Sequence, residues 1–115
     1  MNFKPTISKF LRKSGLITLF DKAFFWVQKF KNSAINRKFI NSHPEIVTPP
    51  AYFVYETYRM NYEEYYFDGL NTAKELTAKI EKYKQPLTKL RLLDWGCGPG
   101  RITRHFPMLI PESHI

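Results

Sequence analysis

Cysteine occurs once, at Cys97, so the chain forms no internal disulfide and holds no zinc cluster built on paired cysteines. The histidines His43, His105 and His114 are scattered, with no pair four residues apart, and no metal site is expected. No apolar run reaches the length of a membrane span. The best stretch, Leu16 to Phe30, is interrupted by Asp21, Lys22 and Lys29. The same stretch lacks the unbroken apolar core and small-residue cleavage site of a secretory signal. A reducing, cytoplasmic setting is therefore the expectation. Acidic residues are scarce, ten against eighteen Lys and Arg, and glycine is scarcer still. Of five glycines, Gly96, Gly98 and Gly100 fall in one short segment near the C-terminus. Internal repeats and low-complexity tracts are absent.

The net charge of +8 is uneven. Residues 1–45 carry nine Lys/Arg against Asp21 and Glu45, an excess of seven, whereas residues 46–115 carry nine against eight. The basic excess belongs to the N-terminal part. Such a stretch can meet an anionic membrane or a nucleic acid, but a solvated face of surface helices is the expected reading. Nucleic acid is not expected as a partner, and peripheral membrane contact through residues 1–40 stays open.

Residues 3–14 are polar and basic and are broken at Ser14–Gly15. From Leu16 to about Ile40 the pattern is helical: Leu16, Leu19, Phe20, Ala23, Val27 and Phe30 recur at three- and four-residue steps. Phe24, Phe25 and Trp26 widen this apolar surface, which needs a cover. A protein surface is the preferred cover, because Asp21 lies in the middle of the segment; an interfacial helix dipping its aromatics into lipid is the alternative. Residues 41–50, with Pro44, Pro49 and Pro50, read as a linker. An aromatic stretch follows, in which Tyr55, Tyr58 and Tyr62 are spaced for one helical face, as packing groups or as a lid. Gly69 is expected to end that segment. Thr72-Ala73-Lys74-Glu75 fits a capping box that opens a last helix, with Ala73, Leu76, Ile80 and Tyr83 on one face and Pro86 as its stop.

The segment with recognisable chemistry is Leu90-Arg91-Leu92-Leu93-Asp94-Trp95-Gly96-Cys97-Gly98-Pro99-Gly100-Arg101. Residues 90–95 predict a buried parallel strand, and Arg101 to Phe106 a short helix before Pro107. Glycines serve where the chain reaches positive φ or lets a ligand touch the backbone. A phosphate loop of the G-x-x-x-x-G-K-[ST] type is excluded, since no Gly-Lys-Ser/Thr follows. A G-x-G-x-x-G dinucleotide loop fails by one position, because Arg101 stands where the third glycine belongs.

The observed spacing, Asp94-x-Gly96-x-Gly98-x-Gly100, resembles the first motif of class I S-adenosylmethionine-dependent methyltransferases. The resemblance implies that Asp94 contacts the methionine end of S-adenosyl-L-methionine. It implies that the backbone of Gly96, Cys97, Gly98 and Gly100 passes close under the cofactor. The acid that would bind the ribose hydroxyls, at the end of the next strand, is missing; that strand could just begin at Ser113-His114-Ile115.

The implied fold class is α/β: a helical N-terminal extension followed by the first β-strand, glycine loop and helix of a Rossmann-like methyltransferase domain, truncated. Residues 1–50 would form the basic extension with its proline-rich boundary, and residues 51–115 the start of the methyltransferase domain. The chain is expected to be an N-terminal fragment, inactive by itself, of an enzyme that methylates a small-molecule acceptor. No catalytic residue and no oligomeric state can be named. A non-catalytic basic helical module that binds a membrane surface or a protein is the other reading.

Overall fold

The computed structural model describes residues 15–58 and 60–115; the basic stretch 3–14 and its break at Ser14 lie outside them. The elements are α1 (Ile17–Lys31), α2 (Ser33–Ser42), α3 (Ala51–Tyr58), α4 (Tyr62–Glu81), a 3-10 turn (Thr103–His105) and α5 (Phe106–Leu109). α4 is the spine: α2, α3, the 3-10 turn and α5 all pack on it, while α1 rests on α2 and α3. No helix among the described residues is long and apolar enough to cross a membrane.

The helical segment expected over 16–40 is divided at Asn32. Its N–H and side-chain Nδ2 both donate to the Gln28 carbonyl, each at 3.0 Å, so the side chain competes with the backbone ladder at that point. The next break is held from a distance. Buried Asn36 of α2 donates from Nδ2 to the Met60 carbonyl at 2.7 Å and accepts from the Tyr62 N–H at 3.1 Å. Met60 itself adopts φ 70°. Tyr55 and Tyr58 therefore stand on α3 and Tyr62 on α4, rather than on one continuous face as the spacing suggests.

α4 corrects two further expectations. Its cap is Asn61, whose side chain accepts the Glu64 N–H at 3.1 Å, and Glu63 and Glu64 suit the positive end of the helix dipole. Thr72 caps nothing: its hydroxyl donates to the Asp68 carbonyl at 2.8 Å inside the helix. Gly69 does not end a segment but lies in the middle of twenty helical residues. The helix stops at Glu81, so Tyr83 stands beyond it, 90 % exposed. Ala73 of α4 centres the core with Phe106 and Ile110, against which Leu87, Leu92, Ile102 and Leu109 pack.

The α/β fold class is overturned: the described residues contain helices and no β-strand. The run 90–95 makes one isolated parallel bridge, between Arg91 and His114. Two bonds form it, Leu92 N–H to the His114 carbonyl and His114 N–H to the Leu90 carbonyl, both 2.8 Å. The physical reason is local. The left-handed residues Lys89 (φ 59°) and Glu112 (φ 59°) bound both pieces on their N-terminal side, and Arg91 and His114 are the one pair bridged. A parallel ladder that short is weak. The helix expected after the glycines is also displaced. Pro107 does not terminate it but sits in the first turn of α5, where an absent N–H costs little.

Candidate cofactor-binding loop

The loop begins where the packed chain ends. Leu90 is buried, with its N–H donating to Ser113 Oγ at 3.0 Å, and Leu92 packs on the core. Beyond it Leu93 and Trp95 are 86 % and 92 % exposed. Asp94 lies between them, and its Oδ2 accepts the Thr103 hydroxyl at 2.5 Å, a short bond to a charged acceptor. The same carboxylate lines an apolar cleft of 230 Å³ with Leu76, Ile80, Leu93 and Ile115.

Gly96, Gly98 and Gly100 have φ of 82°, 54° and 71°, the left-handed region that L side chains rarely enter. Gly98 is the second residue of a tight turn closed by the Gly100 N–H on the Cys97 carbonyl at 3.0 Å. A Cβ placed on any of the three glycines would meet nothing beyond its chain neighbours within 4 Å, so the space beside each is open. Cys97 is an exposed free thiol. Asp94, Gly96, Cys97, Gly98 and Gly100 are thus gathered in one exposed turn, and among the described residues no three His, Cys, Asp or Glu side chains are grouped to hold a metal ion.

The other side of the loop is fastened to α4. Tyr65, 1 % exposed, donates its hydroxyl to the Pro99 carbonyl at 3.0 Å. Burial raises the Tyr65 pKa above 10, and Arg104 and Arg101 only partly oppose it, so the hydroxyl keeps the proton it donates. One turn further along, Gly69 meets Arg101. A Cβ on Gly69 would collide with the Arg101 carbonyl oxygen and approach its Cγ to 2.9 Å. The guanidinium of Arg101 lies 5.2 Å from the Tyr58 ring centre and that of Arg104 lies 5.7 Å from Tyr65. Arg104 Nη1 also donates to the Val47 carbonyl at 3.0 Å. His105 is buried with its ring 4.7 Å from Tyr66. Burial, reinforced by Arg104, holds its pKa below the ordinary 6.5, so the imidazole is neutral at pH 7.

Sequence reasoning missed this fastening: Tyr65, Gly69, Arg101, Thr103 and Arg104. One signal was available. Tyr65, Gly69 and Ala73 recur at four-residue steps, a helical stripe with two small members, which marks close approach of another backbone. Comparisons with protein-family models, curated proteins and solved structures found no match.

Proposed function

We propose that the turn Asp94–Gly100 is the S-adenosyl-L-methionine contact of a methyltransferase that acts on a small-molecule acceptor. The observation that supports this most is the juxtaposition of an acid with three alternating left-handed glycines, each with open space beside it. The proposal rests on that loop and not on a sheet. Asp94 would hold the ammonium of the methionine moiety, and Gly96, Cys97, Gly98 and Gly100 would present backbone to the ligand. When bound, the cofactor supplies a methyl carbon made electrophilic by its sulfonium. The chain's own contribution is alignment, which is worth much of the barrier in such displacements. Tyr65 and Gly69 fix the loop from behind, and Thr103 orients the Asp94 carboxylate.

Isothermal titration with S-adenosyl-L-methionine tests this with two variants. Gly98→Val places a branched side chain at φ 54° and in the open space, and is expected to lower affinity by about tenfold or more. Gly98→Asn tolerates the left-handed backbone, so it separates strain from obstruction. It is expected to keep the fold and to lose affinity. Absence of binding by the wild type, or wild-type affinity in Gly98→Asn, would sink the proposal.

A further inference from the structure

The helix α1 buries none of its residues, yet nine of its fifteen are apolar. One side faces the body. The Tyr55 hydroxyl donates to Asp21 Oδ1 at 2.9 Å, and the Phe25 ring lies edge-on to Tyr55 at 5.4 Å. At 3.6 residues per turn, Trp26, Leu19, Phe30, Ala23, Val27 and Phe20 then fall on the far side, within an arc of roughly 120°. They are exposed there, Trp26 at 62 % and Phe30 at 85 %. By the same geometry Lys22 and Lys29 border one edge of the stripe and Lys31 the other. Lys29 Nζ sits 4.8 Å from the Trp26 ring centre, with its charge at the margin.

Asp21, read from sequence, argues against lipid because it interrupts the apolar segment. In the fold it does not. It points to α3 and is held there by Tyr55, so the outward stripe carries no acid.

We propose that this face of α1 binds the surface of an anionic phospholipid bilayer. The stripe would enter the acyl boundary while Lys22, Lys29 and Lys31 meet lipid phosphates, the arrangement of an interfacial helix. Charge selects this occupant. Residues 1–45 carry nine Lys/Arg against two acids, one of which is Asp21, already engaged. A second copy of the chain would bring the same lysines to the same stripe, setting like charges together. An anionic membrane complements both the stripe and its borders.

Flotation of the purified chain with vesicles tests the proposal, using phosphatidylcholine alone and phosphatidylcholine mixed with phosphatidylserine. The chain is expected to float with the mixed vesicles and to remain below with the neutral ones. Trp26 emission, read in a Trp95→Phe background, is expected to shift to the blue with the mixed vesicles. Trp26→Ser with Phe30→Ser is expected to cut the bound fraction by about tenfold or more. Lys22→Glu with Lys29→Glu, at two exposed positions, is expected to abolish flotation while leaving the far-UV circular dichroism unchanged; this variant keeps the test sharp if the apolar double variant misfolds. The proposal is overturned if the wild type does not float with anionic vesicles or if the charge variant floats undiminished. A dimer by sedimentation that Trp26→Ser dissociates, without flotation, would assign the stripe to a second copy instead.

Discussion

Replacing Gly69 by alanine sets two effects of opposite sign against each other. In an isolated helix the change is favourable, because glycine inside a helix is about 0.5–1 kcal/mol less stable than alanine. Here the added methyl meets the Arg101 carbonyl oxygen, and Arg101 Cγ and carbonyl carbon at 2.9 and 3.1 Å. The obstacle is backbone, so it cannot be relieved by rotating a side chain. Overpacking of this kind costs roughly 1–3 kcal/mol. Moving the chain at Arg101 also strains the Tyr65–Pro99 bond two residues earlier, which contributes about 1 kcal/mol. The clash therefore wins, and Gly69→Ala is expected to destabilise by about 1–2 kcal/mol net. Asn71→Ala, exposed on the same helix, serves as the propensity control and is expected to be neutral or stabilising by a few tenths of a kcal/mol. Urea unfolding followed by circular dichroism measures both. A Gly69→Ala protein stabilised as much as propensity alone dictates would refute the close approach of α4 to the loop exit.

Tyr65→Phe deletes the hydroxyl that holds the Pro99 carbonyl; urea unfolding is expected to show a loss of about 1 kcal/mol, with a larger proportional loss of S-adenosyl-L-methionine affinity in titration. Asn36→Ala leaves the Met60 carbonyl and Tyr62 N–H without their buried partner and is expected to cost roughly 1–3 kcal/mol by the same measurement. For His105 the sign follows from its lowered pKa. The unfolded chain takes up the proton first, so stability is lost as pH falls from about 6.5 toward the lower folded value and is unaffected above it. Thermal melts over that window are expected to show this loss, and His105→Phe is expected to flatten it.

The periodic helices were readable because their signal is local. The apolar recurrence at Leu19, Ala23 and Val27, and the prolines at 49 and 50, correspond to α1 and to the linker before α3. Gly69 misled because a glycine's cost in a helix is under about 1 kcal/mol, which one tertiary approach can offset. Asn61 and Thr72 each stand three residues before a Glu, and the helix starts at the first of them, beside the α3–α4 turn that Asn36 holds. The run 90–95 carries a strand's composition, but a ladder is a property of two segments, and here the second segment pairs with it only at His114. In the loop, the alternation of Gly96, Gly98 and Gly100 announces positive φ directly. Of its anchors only the Tyr65, Gly69, Ala73 stripe is announced, and not its partner, since Tyr65 and Pro99 are 34 residues apart.

The S-adenosyl-L-methionine contact proposed for the acid-and-glycine turn can be located chemically. Ultraviolet crosslinking of methyl-labelled S-adenosyl-L-methionine to the 115-residue chain addresses it most directly. Trypsin cuts after Arg91 and after Arg101, and so releases the turn as the single peptide Leu92–Arg101. Label concentrated in that peptide, displaced by unlabelled cofactor and reduced in Gly98→Asn, is the predicted result. Label confined to other peptides, or no displaceable label at all, would show that the turn is not the contact.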